Sequence, residues 1–494
     1  MGIIVNQSVK GTIYVYLGVI LGFITTGIFL PRLFSTDEVG LLKILVAYSS
    51  LIASFGTLGI NGVTFRLFPF FKDDTNKNHG YLANVLLVGL VGFLLTTLLL
   101  ILLKPWLTEI NIEKSALFVE HINYLIILIF FQIFFSILDA YYSALLNSVH
   151  GTFLKEVFQR ILIIISIGLF FFDFLTFHQF VIMYVASISL PTLNLVIRLI
   201  RTKHFSLHTD FKFLTRGMLV SIGAVSLFSI LNGFSMIIIQ NVDIIMINSM
   251  VGLSDTGIYS ICFFFGVVVS LPARSIIKIA NIITSQAWKD NDMNLIRDLY
   301  HKSCLTLFII GSLLFIGLWA NINNVFHIIG QQYSAGKWVI FFIGLSSLID
   351  MITGANGAII GTSKYYKVQT FFLVILVILL VVTNLLLIPR LGIIGAAIGS
   401  AISLSVLNLL RYLFLLYKYQ LQPFNIQFVY VALIGVGSYF LSLLLPPLSN
   451  YIVDIFVRST ILVVSFCTPV YLFRISDDIN TKADEILKKL KIIN

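Results

Sequence analysis

Charged residues are scarce in this sequence of 494 residues. Asp, Glu, Lys and Arg make up only 11% of the chain, whereas 58% of the residues are hydrophobic and the mean hydropathy is +1.00. A soluble domain carries about 25% charged residues, so this chain lacks the polar surface that a globule of its size needs in water. The deficit excludes a soluble enzyme or binding module and indicates a protein surrounded by lipid.

Two further absences narrow the fold and the chemistry. The chain has only three cysteines, Cys262, Cys304 and Cys467, and they lie far apart in apolar runs. This spacing offers neither a disulfide framework nor a metal site, and we expect no metal and no cofactor. Strand-like alternation of polar and apolar residues is also missing, which excludes a transmembrane barrel. The backbone N–H and C=O groups must then form their hydrogen bonds within helices.

Long apolar runs are what the sequence does contain. Each run has about 20 residues or more, the length that crosses a hydrocarbon core of ~30 Å as a helix. We therefore predict an all-α polytopic membrane protein with about 14 transmembrane helices. The predicted spans are 11–31, 38–60, 80–103, 121–147, 152–172, 178–200, 217–250, 256–287, 302–321, 336–361, 366–388, 392–418, 427–446 and 451–474.

The positive charge is unevenly distributed among the loops. The formal net charge is +10, and Lys and Arg concentrate in every second loop of the predicted topology. By the positive-inside rule this places both termini in the cytoplasm. Because the basic residues sit in short loops between spans, the net charge does not indicate nucleic-acid binding. The tail Lys482–Ile493 has Ile486, Leu487, Leu490 and Ile493 on one helical face, typical either of a helix on the inner leaflet or of a solvated tail.

An internal repeat divides the chain into similar halves. The turn before Gly40 resembles the turn before Gly257, and the segment at Ala144 resembles the segment at Ala358 at nearly the same offset. Two pseudo-symmetric six-helix bundles with the same orientation, followed by two more helices, fit these offsets and would enclose a central cavity. The predicted segments are a bundle at 1–200, a cytoplasmic linker at 201–216, a bundle at 217–418, two additional transmembrane helices at 419–475 and a cytoplasmic tail at 476–494.

Ionisable residues inside predicted spans are the candidate functional residues, because a charge in hydrocarbon is costly and usually has a purpose. Basic groups can hold a phosphorylated headgroup in a region without bulk water. The candidates for a cationic cavity are Arg274, Lys43, Arg160 and Lys278 in predicted spans, and Arg66, which follows the second span. The alternative for each is snorkelling, in which a long side chain near a helix end reaches the headgroup layer.

An acidic residue and three histidines complete the set of titratable candidates. Asp350 lies deep in the tenth span, where it could bind a coupling ion or neutralise a nearby cation. His121, His178 and His327 are scattered near the predicted outer helix ends, and we expect each of them to be solitary. Without a cluster of acids and histidines, the sequence does not suggest a catalytic site.

Several stretches resemble a known family. They are Gly11–Gly40, especially Leu30–Gly40 (LPRLFSTDEVG), then Asp243–Tyr259, and Arg390–Ile398 (RLGIIGAAI). Together with the order and length of the loops, they resemble polysaccharide and oligosaccharide flippases of the multidrug/oligosaccharidyl-lipid/polysaccharide exporter superfamily. The motifs are loose and apolar, so they identify the superfamily better than they identify a substrate.

The resemblance implies a function and partners that the residues alone do not give. It implies alternating-access transfer of a polyprenyl-diphosphate-linked oligosaccharide, such as an O-antigen precursor of lipopolysaccharide, across the bacterial cytoplasmic membrane. The resemblance also implies coupling to H⁺ or Na⁺. Its implied partners are membrane lipids and a glycan polymerase or ligase. Two alternatives stay open, a multidrug or metabolite cation antiporter of the same superfamily and a membrane glycan polymerase or ligase.

Overall fold

The chain is helical throughout the part that the structure describes. The computed structural model describes residues 2–73, 76–145, 147–210, 213 and 215–489, and these ranges contain no strand. The chain divides into two compact units, Met1–Ser260 and Ile261–Asn494. The predicted all-α membrane fold is confirmed.

The first unit is built from long apolar helices joined by short ones. Its helices are α1 (Gly2–Gly22), α2 (Leu30–Leu33), α3 (Thr36–Gly56), α4 (Ile60–Phe71), α5 (Tyr81–Asn111), α6 (Ala116–His121), α7 (Tyr124–Ala144), α8 (Ser148–Phe153), α9 (Gln159–Phe171), α10 (Phe177–Arg201), α11 (Arg216–Met250) and the start of α12 (Leu253–Val267). A π-helical segment, Phe23–Phe29, continues α1, and a second, Leu154–Phe158, joins α8 to α9.

The second unit has the same construction. Its helices are α13 (Ala273–Lys289), α14 (Met293–Ala320), α15 (Ile322–Ile329), α16 (Lys337–Ile352), α17 (Asn356–Thr362), α18 (Tyr366–Tyr419), α19 (Ile426–Leu443), α20 (Tyr451–Leu472) and α21 (Asp477–Lys489). Two 3₁₀ segments, Val268–Ser270 and Gln331–Gly336, lie before α13 and before α16. Of the predicted amphipathic tail, Leu490 and Ile493 lie outside the described residues.

The helices account for the predicted number of spans. In the described part of the chain, 12 helices are long and apolar enough to cross a membrane. One of them, α18, has 54 residues and is kinked at Gly392, whose φ of 58° and ψ of −137° are non-helical, so it provides two spans. The continuous segment 148–171, interrupted only by its π turn, provides another. The total agrees with the prediction of about 14.

The two repeated turns touch each other within the first unit. A Cβ atom added to Gly40 would meet the carbonyl oxygen of Leu253, and one added to Gly257 would meet that of Thr36. The hydroxyls of Thr36 and Ser254 lie 2.7 Å apart. Contacts that are reciprocal in this way are what a local twofold axis between equivalent turns produces. Glycine is needed at both positions because α3 and α12 approach closely there.

A buried ion pair fixes the last spans of the second unit. Arg458 Nη2 lies 3.1 Å from Asp454 Oδ1, and the two side chains are 7% and 4% exposed. The guanidinium also donates to the carbonyl oxygen of Ser442, and Asn324 Nδ2 donates to the Asp454 carboxylate. The network joins α20 to the end of α19 and to α15. Full pairing is needed, since a buried charge without partners is strongly destabilising.

We predict that Arg458→Met destabilises the protein by about 3–5 kcal/mol, because it leaves the Asp454 carboxylate buried without its cation. The matched control is Lys302→Met, which breaks another i,i+4 pair, Lys302 with Asp298, whose side chains are 47% and 54% exposed. That change should cost no more than about 1 kcal/mol. Thermal unfolding in detergent measures both, and equal shifts of the two variants would contradict the role of the buried pair.

Candidate functional site

The first unit contains a polar cavity of about 670 Å³. Its walls come from the π-helical segment after α1, from α3, α4 and α7, from the π turn before α9 and α9 itself, and from α10 and α11. Hydroxyl and amide side chains are frequent on these walls, which is unusual inside an apolar bundle. The polar lining residues include Thr25, Thr26, Ser50, Ser54, Thr57, Asn61, Gln132, Ser136, Gln159, Tyr184 and Ser229.

Two cations and one carboxylate charge this cavity. Arg160 Nη2 donates to Glu156 Oε2 at 3.0 Å, and both side chains are 31% exposed. Lys155 is exposed, and its Nζ lies 5.3 Å from the centroid of the Phe135 ring, within range of a cation–π contact. Asp139 on α7 also interacts electrostatically with Lys155, so each cation of the cavity has an acidic neighbour.

Backbone irregularities place these charged groups. Glu156 and Lys155 lie in a π turn, and Thr25 lies in the other π-helical segment. Such turns interrupt the regular face of a helix and often occur at functional sites. Two glycines of α1 make room opposite them, because a Cβ on Gly18 would meet the Glu156 carboxylate and one on Gly22 would meet the Arg160 guanidinium.

The structure places two other predicted cations beside this cavity. Lys43 is half-buried on α3, close enough to Arg160 for the two charges to interact. Arg66 is exposed on α4 and lines an adjoining cavity of about 440 Å³ that shares Gly62 and Ser229 with the first. Arg160 thus lies in one region of the first unit with Lys43 and Arg66, although it is about 100 residues away from them in sequence.

Arg274 and Lys278 belong to the second unit. Pro272 precedes α13, and the chain leaves the α-helical conformation just before it, at Val268–Ser270. Both cations are exposed on α13, as are Asn281 and Ser285 on the same face. The opposite face carries the buried alanines of the helix. These residues form a polar stripe on α13, and its contribution to a substrate cavity stays a prediction.

Asp350 takes part in a hydrogen-bonded network of the second unit. Its carboxylate accepts a bond of 3.0 Å from Asn408 Nδ2, and Asn408 in turn accepts from Asn356. The Arg411 side chain interacts electrostatically with Asp350 and donates to Gln369 at 3.2 Å. This geometry favours charge pairing, and a role in ion coupling stays a prediction.

Comparison with known proteins identifies the family. A family model described as "Polysaccharide biosynthesis protein" matches residues 8–282, more than half of the chain. The chain belongs to this polysaccharide biosynthesis protein family. No curated protein sequence matches it. The resemblance to polysaccharide exporters noted in the sequence is thereby confirmed.

Solved structures show that this family member shares the fold of known transporters. The lipid II flippase MurJ aligns with a TM-score of 0.73 at 13% identity, over 95% of this chain and 98% of its own. A multidrug resistance MATE family transporter of the MOP superfamily in an inward-facing conformation aligns with a TM-score of 0.60 at 15% identity, over 80% and 93%. A MOP superfamily transporter from Pyrococcus furiosus gives 0.52 at 16% identity, over 83% and 94%.

Sequence reasoning missed several residues of the site in this polysaccharide biosynthesis protein. Lys155, Glu156, Gln132 and Tyr184 line the cavity but are not among the candidates that the sequence indicates. The i,i+4 spacing of Glu156 and Arg160 is a signal that could have found the pair. Nothing in the sequence brings Gln132 to this cavity, because that contact depends on how α7 packs.

We predict that Ser54→Cys reacts with a small anionic, membrane-impermeant thiol reagent, because Ser54 lines the cavity. Ser49→Cys on the same helix should stay unlabelled, since Ser49 is 0% exposed. The exposed Cys467 is first replaced by Ser, and the buried Cys262 and Cys304 are kept. Mass spectrometry of the labelled protein gives the result, and similar labelling of both positions would contradict a water-filled cavity.

Proposed function

We propose that the protein is a flippase that moves a lipid-diphosphate-linked oligosaccharide, the precursor of a cell-surface polysaccharide, from the inner to the outer leaflet of the bacterial cytoplasmic membrane. The polar cavity of the first unit, with Arg160 and Lys155 in its wall, carries this proposal. Transfer by alternating access requires a compartment that replaces water around the headgroup while the lipid tail stays in the membrane.

The chemistry of the cavity suits an anionic sugar headgroup. A guanidinium offers forked hydrogen bonds to phosphate oxygens, and an ammonium adds a compact positive charge. The hydroxyl and amide groups around them match the donors and acceptors of sugar hydroxyls. Glu156 already pairs with Arg160, so substrate must compete for the guanidinium, and this competition favours release.

Similarity to known proteins, in family and in fold, also supports the proposal. The matching family model concerns polysaccharide biosynthesis, and the aligned MurJ structure is that of a lipid II flippase. A polyprenyl-diphosphate-linked substrate, such as an O-antigen precursor of lipopolysaccharide, fits both. A polymerase or ligase would act on the delivered glycan, and H⁺ or Na⁺ could drive the return of the carrier. We place both termini in the cytoplasm, following the Lys and Arg bias of the loops.

The two alternative functions fit this site less well. An antiporter of organic cations needs acidic groups to attract its substrate, whereas the cavity holds two cations and one paired carboxylate. A polymerase or ligase needs an acid, a base or a phosphate-binding group on an ordered outer loop. The charged groups of this cavity lie instead on membrane-spanning helices.

We predict that deletion of the gene abolishes the surface glycan and causes the lipid-linked precursor to accumulate on the inner leaflet. Arg160→Gln should lower the export rate by about 10- to 150-fold, since one charge-assisted hydrogen bond is worth about 1.5–3 kcal/mol. Arg201→Gln is the matched control, because Arg201 is exposed at the end of α10 and does not line the cavity.

The measurement is complementation of the deletion strain at equal expression, with glycan gels and precursor analysis. Full complementation by Arg160→Gln and by Lys155→Gln would remove the cationic cavity from the mechanism. Normal export in the deletion strain would refute the flippase function itself.

We predict a dependence on membrane potential as well. Each charge that crosses gains or loses about 2.3 kcal/mol per 100 mV, and an inside-negative potential favours outward movement of an anionic headgroup. Collapsing the potential with an ionophore should therefore slow export in vesicles of defined ion content. An unchanged rate would show that the potential does not drive the charged headgroup outward.

A further inference from the structure

Two histidines that are far apart in sequence meet in the first unit. The ring centroids of His121 and His178 are 5.4 Å apart, so the expectation that each is solitary is wrong for this pair. His121 is the last residue of α6, and His178 lies in the first turn of α10. Glu120 precedes His121, and one ligand atom from each of Glu120, His121 and His178 can be chosen so that all three lie within 4.8 Å of one another.

His121 has one ring nitrogen with no partner inside the protein. Its Nδ1 lies 2.9 Å from the carbonyl oxygen of Leu117, a backbone acceptor, so this nitrogen carries the proton. The other nitrogen, Nε2, therefore has a free lone pair, and it is buried without a hydrogen-bond partner. The whole residue is 2% exposed. A buried acceptor without a partner is costly, and a metal ion is one group that would satisfy it.

We propose that Glu120, His121 and His178 form a binding site for a divalent transition-metal ion, for which Zn²⁺ is the best match. Two imidazoles and one carboxylate are a common zinc ligand set, which leaves a fourth position for water. A ligating histidine usually donates its other ring N–H to a backbone carbonyl or a carboxylate, and His121 already does so.

Small movements complete the coordination sphere. Zinc ligands lie about 2.0–2.2 Å from the metal, so neighbouring ligand atoms end about 3.4 Å apart in a tetrahedron. Because the three atoms lie within 4.8 Å of one another, each pair must close by at most about 1.4 Å. Glu120 and His178 are both exposed and have room to move, whereas the hydrogen bond to the Leu117 carbonyl holds His121 in place. Tyr124 is a positioning residue, because its hydroxyl lies 3.4 Å from His178 Nε2.

The site would link three elements at one end of the first unit. Glu120 and His121 lie on α6, Tyr124 begins α7 and His178 lies at the start of α10. The Lys and Arg bias of the loops puts these helix ends on the extracytoplasmic face. A bound ion would fix the short α6 against α10. This effect would be independent of the polar cavity in which transport is proposed.

The test uses the full-length protein purified without a polyhistidine tag, stripped with a chelator and then titrated with ZnCl₂ or CoCl₂. We expect Zn²⁺ to raise the thermal unfolding midpoint and Co²⁺ to give the visible absorption of a four-coordinate site. His178→Ala and Glu120→Gln should bind at least about tenfold more weakly, because even indirect ligand partners contribute about 10–100-fold. Both variants change exposed side chains, so the fold should be retained.

The matched controls are His208→Ala and Glu113→Gln, which change an exposed histidine and an exposed glutamate outside the cluster. They should bind Zn²⁺ and Co²⁺ like the wild type. The proposal is overturned if the wild type shows no shift and no cobalt spectrum. It is equally overturned if His178→Ala retains wild-type affinity, or if His208→Ala loses as much affinity as His178→Ala.

Discussion

Hydrocarbon offers no hydrogen bonds, and this constraint governs how the whole chain is built. Each backbone group in the membrane must find its partner within its own helix. The outward faces can then be fully apolar, as on α5, where Leu94, Leu95, Leu98 and Leu102 are each 54–68% exposed. Polar side chains have no favourable place on such a surface. They collect where the helices leave room between them, and in the first unit that room is the cavity that contains Arg160 and Lys155.

The same constraint explains why charged groups occur in paired or networked arrangements. Arg458 and Asp454 are almost fully buried and satisfy each other, together with a carbonyl oxygen and an asparagine. Asp350 is tied to Asn408 and lies near Arg411. The cavity charges make fewer polar contacts. Lys155 lies over the Phe135 ring and interacts electrostatically with Asp139 and Glu156, and Arg160 donates to one carboxylate. Arg458 and Asp454 therefore stabilise the fold, and the cavity charges are the ones for which a substrate role is proposed.

Close approach between helices is the second structural requirement, and glycine provides it. Gly40 and Gly257 allow α3 and α12 to touch reciprocally at the two repeated turns. Gly18 and Gly22 leave space on α1 for the Glu156–Arg160 pair. In both places a methyl group would occupy the position of a polar atom. The sequence repeat and the site therefore depend on the same physical feature, the absence of a side chain at a helix crossing.

The length of the apolar runs and the local composition are enough to predict the membrane class, the helical fold and the number of spans, and the family resemblance rests on short motifs such as Leu30–Gly40. Arg160, Lys43 and Arg66 can be recognised as candidates, since a charge in or next to an apolar run stands out in the sequence. Which groups meet, in contrast, depends on the fold. The contact of Lys155 with Phe135, the networks of Asp350 and Arg458, and the meeting of His121 with His178 all depend on which helix faces pack together. Packing joins residues that are distant along the chain, and a periodic apolar pattern carries no information about which distant residues will become neighbours.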